Sequence, residues 1–132
     1  MNVMNTRNEE LPLVYSCSGC SSAAQMANNI AIQLDRAGVA EMSCIAGVGG
    51  NVKSLVRTAL SGRKIVAIDG CPLACVKACL RNHSVESDTH YDLSTLGVNK
   101  RKHEDFDQQK ADQITALIKK DIAMIVAEPP VI

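Results

Sequence analysis

Apolar residues along this chain alternate between short runs and stripes at helical spacing. Leu11 to Ser16 (LPLVYS) is too short for a helix and ends in Cys17-Ser-Gly-Cys20, which suits a buried strand delivering a loop to a sheet edge. After Ser21 and Ser22, both suited to capping, Ala23, Ala27, Ile30, Ala31 and Leu34 recur on one helical face until Gly38 ends it. Val39 to Ala46 predicts a second strand. Gly47-Val-Gly-Gly50 then turns the chain into a helix capped by Asn51, with Val52, Leu55, Val56, Ala59 and Leu60 on one face and Gly62 beyond its end. Lys64 to Ile68 predicts a third strand, and Asp69-Gly70-Cys71-Pro72 opens a third helix with proline in its first turn, where the missing N–H is harmless.

Past that helix the pattern weakens, and residues 83–107 are the least regular stretch. Ser87 to Leu93 predicts a fourth strand at the sheet edge, and Leu93 to Gly97 a short turn. Ala111, Ile114, Leu117, Ile118, Ile122 and Ile125 predict a long helix from Phe106 to Ala127, stopped by Pro129-Pro130. Strands and helices alternating with short connections predict an α/β fold. The expected architecture is a single three-layer Rossmann-like domain, with a short, mostly parallel sheet of about four strands flanked by helices and right-handed crossovers. It would span residues 11–128 behind a flexible N-terminus, residues 1–10, and 132 residues suffice for one such core.

Charge narrows the partners. The formal net charge is zero, there is one Phe and no Trp, and no basic block exceeds Lys100-Arg101-Lys102, so nucleic-acid binding has little support. The polar start with Glu9 and Glu10 lacks the features of a secretory signal, and no apolar run reaches the roughly 18 residues that span a bilayer. A cytoplasmic protein is expected, with reduced thiols and no membrane partner. The apolar C-terminal helix leaves a homodimer open.

Six cysteines carry the chemistry. Cys17, Cys44 and Cys71 fall at or near the ends of the three predicted strands, where open parallel sheets collect ligands. Strands lie about 4.8 Å apart, so thiolates on adjoining ends can close on one zinc ion at about 2.3 Å, with Cys75 joining from the next turn. Cys20 competes with Cys44 for a place, because Cys-x-x-Cys is a common local way to present two ligands; packing inside an apolar strand is the alternative role of Cys44. Cys79 lies about 12 Å along a helix from Cys71, too far to share its ion. With His83 it would form a weaker second site or serve the helix end, the second being favoured. Helix starts after Cys17, Cys20 and Cys71 are expected to lower their thiol pKa values. Asp69, Gly70 and Lys77 surround the ligands: Asp69 ligates, takes a proton or caps the helix, capping being favoured, and Lys77 offsets thiolate charge. His90, Tyr91 and His103 have no evident partner and default to the surface. Two rivals to zinc remain, a thiol–disulfide oxidoreductase with Cys17 attacking and Cys20 resolving, and an iron–sulfur protein. Gly47-Val-Gly-Gly50 matches neither phosphate-binding fingerprint.

Tyr15-Ser-Cys17-Ser-Gly, Met42-Ser-Cys44-Ile-Ala-Gly47, Ile68-Asp-Gly-Cys71-Pro-Leu-Ala-Cys75 and Asp92-Leu-Ser-Thr-Leu-Gly97-Val-Asn-Lys100 together resemble the DGC-domain family over about residues 11 to 100. The resemblance implies a small bacterial or archaeal protein with zinc on Cys17, Cys44, Cys71 and Cys75, and it implies no reaction. It favours Cys44 over Cys20 and makes Cys20 and Cys79 extras to the pattern. Four thiolates make a closed site suited to metal storage, sensing or transfer; three would leave a position for water, with Asp69 nearest to handle its proton.

Overall fold

The computed structural model describes residues 11–127. The expected flexible segment 1–10 and the Pro129-Pro130 stop lie outside the described residues. The elements are β1 (Leu13–Ser16), α1 (Ser22–Arg36), β2 (Glu41–Met42), α2 (Ile45–Gly49), α3 (Lys53–Ala59), β3 (Ile65–Asp69), α4 (Cys75–Arg81), β4 (Thr89–Asp92), a 3₁₀ turn (Leu93–Leu96) and α5 (Gln108–Ala127). All strand pairs are parallel and the order is β2-β1-β3-β4. β1 therefore has β2 on one side and β3 on the other, with Val14 opposite Met42 and Val66, and Ser16 opposite Ile68. α1 and α5 pack together as one layer, and α2, α3 and α4 form the other. The architecture is the expected three-layer α/β sandwich.

β1 and β3 are buried along their whole lengths, while the edge strands β2 and β4 are half-buried. Central strands covered on both faces have no polar face to present, which is why LVYS and IVAID read as runs rather than alternations. α1 starts as expected: Ser21 Oγ accepts from the Ala24 N–H at 3.1 Å. On α5, Ala111, Ile114, Ile118 and Ile122 are buried, whereas Leu117 is 42% exposed. That helix begins after Asp107, whose Oδ1 accepts from the N–H groups of Gln109 (2.9 Å) and Lys110 (3.3 Å), two residues later than the apolar stripe suggested.

Three expectations change. β2 has two residues instead of eight, because the Val39 and Ala40 N–H groups finish α1 on the Leu34 carbonyl and the Cys44 carbonyl already accepts from the Val48 N–H of the next helix. Cys44 is thus outside the strand, exposed, at the start of the unforeseen helix α2. α3 is capped by the backbone of Val52 rather than by Asn51, and only its Ala59 is buried, with Val52 47% and Leu60 57% exposed. α4 begins at Cys75 rather than near Cys71: the Ala74 N–H closes a turn on the Cys71 carbonyl, and Ala74 takes a left-handed conformation (φ 53°) that interrupts any helix started at Pro72. Tyr91 is half-buried and donates to Asp121 Oδ2 at 2.6 Å, tying β4 to α5. No helix among the described residues is long and apolar enough to cross a membrane.

Ile118→Ala is expected to lower the unfolding free energy by about 2–5 kcal/mol in a urea titration, against less than about 1 kcal/mol for the neighbouring Leu117→Ala. Equal losses would contradict the packing of α5.

Candidate thiol site at the carboxyl edge of the sheet

Four parallel strands end on one edge, and the order of connections reverses between β1 and β3, the place where such sheets open a crevice. Cys17 leaves β1 on one side of that reversal, and Asp69-Gly70-Cys71 closes β3 on the other. The Cys17 N–H donates to the Ile68 carbonyl at 3.0 Å, extending the ladder by a residue, and the Gly70 N–H donates to Cys17 Sγ at 3.1 Å. A methyl group on Gly70 would sit 2.7 Å from the carbonyl carbon and oxygen of Ala23, so only glycine lets the end of β3 approach the first turn of α1.

Asp69 is 1% exposed and gathers three donors. Its Oδ1 accepts from the Val76 N–H at 2.8 Å, and its Oδ2 faces the Lys77 N–H at 3.4 Å and His90 Nε2 at 2.8 Å. It thereby caps α4 from the far side of the Cys71–Ala74 turn, as favoured from sequence, meeting the free N–H groups of the first turn. Lys77 contributes this backbone N–H. The cation at a thiol is instead Lys100, with Nζ 3.7 Å from Cys71 Sγ. Lys100 rides on a strap bound to the start of α1: the Ser22 N–H donates to the Arg101 carbonyl at 2.8 Å, the Arg101 N–H returns to Ser22 Oγ at 3.0 Å, and Ser21 bridges Lys102. A cavity of about 420 Å³ opens beside the strap, between Ser22, Met26, Val98, Arg101, Phe106 and Lys110, with no cysteine in its wall.

The thiols differ in setting. Cys17 is buried, and its pKa is pushed up to about 11, first by that burial and further by Asp69, Cys75 and Cys71, against the opposing Gly70 N–H. Burial thus works against the lowering expected from the following helix, which four residues separate from Cys17. As the attacking thiol of the oxidoreductase reading, Cys17 would have to ionise against that burial. Cys71 is half-buried and Cys75 exposed at the first position of α4, while Cys20 and Cys44 are both exposed. On the β2 side of the edge, burial pushes the Tyr15 hydroxyl up, with Cys44 a lesser contribution in the same direction. Cys79 is half-buried, its thiol raised by burial and then by Cys75 and Asp69, and its Sγ lies where a side chain on Gly49 would stand. His83 Nε2 is 2.8 Å from the Val48 carbonyl. Cys79 and His83 thus both face α2, a packing role between helices where the sequence suggested the end of their own helix. Among the described residues, no group of three or more His, Cys, Asp or Glu side chains is already assembled to hold a metal ion.

Residues 13–118 match the DGC domain. The chain belongs to the DGC-domain family. The anaerobic and virulence modulator AnvM of Pseudomonas aeruginosa is 58% identical over 107 residues, covering 81% of this chain and 82% of that protein. No solved structure matches the chain. In this DGC domain the Asp-Gly-Cys tripeptide divides its labour, since Asp69 caps α4, Gly70 donates to Cys17, and Cys71 presents a thiol to Lys100.

Two site residues escaped the sequence. His90 was assigned to the surface; it is 24% exposed and bound to Asp69, which its place on an edge strand parallel to β3 allows. Lys100 stood in view at the end of Gly97-Val-Asn-Lys100, but nothing local shows that its loop folds back on α1.

In the metal-free protein, iodoacetamide at pH 8 is expected to label Cys20, Cys44 and Cys75 first and Cys17 last. A raised pKa means a smaller thiolate fraction at any pH below it, so the Cys17 rate should keep climbing as pH approaches about 11. Peptide mass spectrometry showing Cys17 modified as fast as Cys20 would contradict this environment.

Proposed function

We propose that this DGC domain is a zinc-binding protein of the cytoplasm, holding its metal on Cys17, Cys71 and Cys75 with Cys44 as fourth ligand and Cys20 as its substitute. The observation that carries the reading is the Gly70 N–H on Cys17 Sγ, with Cys71 and Cys75 close enough for their charges to act on the same sulfur. A buried sulfur provided with a backbone donor suits a thiolate, yet burial keeps Cys17 protonated until a cation arrives. Zinc would supply that cation, displacing the proton as it binds. Lys100 adds positive charge beside Cys71, which favours a multi-thiolate centre. Ser16 Oγ, buried next to Cys17 without a hydrogen-bond partner among the described residues, is a further polar atom at the same strand end.

With the thiols not drawn together in advance, zinc would pull the exposed Cys44 and Cys75 segments inward. Exposed ligands are accessible to exchange, which favours sensing or transfer over a permanently closed structural role. AnvM is called an anaerobic and virulence modulator, a name compatible with a regulatory role for this chain.

Anaerobic purification without added metal, followed by elemental mass spectrometry and thiol counting, tests the proposal. Near-stoichiometric zinc is expected in the wild type and in Cys20→Ser, with loss in Cys44→Ser. Iron and sulfide in brown protein, or metal-free protein cycling through a Cys17–Cys20 disulfide, would overturn it.

A further inference from the structure

We infer that His90 is a positioning residue of the thiol site, acting through Asp69 on the turn that presents Cys71 and Cys75; the inference rests on the metal-binding reading above. Its starting point is the pairing of His90 Nε2 with a carboxylate that is almost wholly buried. Backbone N–H groups of Val76 and Lys77 already face that carboxylate, and a carboxylate only accepts. Nε2 must therefore carry the hydrogen, an assignment made by the network. A buried carboxylate needs its donors, and His90 is the side-chain member of the three.

What Asp69 holds is a turn closed internally by a single backbone bond, the Ala74 N–H on the Cys71 carbonyl. Between Gly70 and Cys75 the chain passes through Ala74 at φ 53° and ψ 53°, a conformation that disfavours any residue with a Cβ. Its two ends are anchored to the rest of the fold. Gly70 is pressed against the backbone of Ala23 and donates to Cys17, and Val76 is held by Asp69 Oδ1, one residue beyond Cys75. His90 sets the orientation of that carboxylate from an edge strand whose register places it opposite Ala67, two residues before Asp69. Without the imidazole donor, Oδ2 is free to turn, the Val76 bond loosens, and Ala74 can relax toward an ordinary conformation. Cys75 would move with it, while the core strands stay paired.

The variants His90→Gln and His90→Leu in the full-length protein distinguish positioning from packing. Glutamine can place an amide N–H near the Nε2 position, and leucine cannot donate. Zinc affinity is read by competition with a chromophoric chelator, and ligand geometry by the thiolate-to-metal charge-transfer bands of the Co²⁺-loaded protein. His90→Leu is expected to weaken zinc about 10–100-fold, the usual effect of removing a group that orients a ligand, and to alter the bands; His90→Gln is expected to restore both. Wild-type affinity and bands in His90→Leu overturn the inference. Failure of His90→Gln to rescue, with changed Co²⁺ bands, also overturns it and makes the imidazole a ligand. If the wild type binds neither Zn²⁺ nor Co²⁺, the metal reading fails by itself. The positioning role is then read on the metal-free protein as the alkylation rate of Cys75 relative to Cys20: altered in His90→Leu and restored in His90→Gln supports it, unchanged in both overturns it.

Discussion

The parallel pairing of β1 with β3 is the constraint on which the thiol edge depends. With Ser16 opposite Ile68, the next residues on each strand, Cys17 and Asp69-Gly70, emerge side by side where the connections diverge. The helices cover both faces of these strands, so the strand ends are where the central sheet can meet polar chemistry. Gly70 makes the junction physically possible, because any larger residue would strike the backbone of α1.

Two acidic groups lie buried at that junction, and the protein treats them differently. Asp69 is given three donors and acts as a structural acceptor that binds α4 and β4 to the end of β3. Cys17 is given a single N–H, too little to offset its burial, so it keeps its proton. The contrast separates a group whose electrostatic needs the fold satisfies from one whose needs it leaves to be met from outside. A satisfied acid fixes structure; an unsatisfied thiol is a place for chemistry.

How much of this was readable follows from the distance over which each feature is determined. β1, β3 and the buried stripe of α5 are set by residues within a few positions of each other, and their runs and spacings identified them. The cysteines at strand ends were readable for the same reason, and the family resemblance in four separate segments was borne out. β2 was misjudged because the Leu34 carbonyl claims Val39 and Ala40 for the end of α1 and the Cys44 carbonyl accepts the first bond of α2. The start of α4 was misjudged because its cap comes from Asp69 across an unusual Ala74 turn, where proline at the first helical position was the stronger local signal. The His90–Asp69 and Lys100–Cys71 contacts span 21 and 29 residues, and no local pattern encodes which loop returns to which strand end.

The brevity of β2 sets a hierarchy of motion. Two paired residues at a sheet edge offer little cooperative resistance to opening, whereas β1 and β3 sit inside the core and can separate only when the whole fold is lost. Cys44 is thus attached to the part of the sheet with the fewest bonds to break and Cys17 to the part with the most. A ligand held there as proposed could be released by opening the short β2 edge alone, without unfolding the protein.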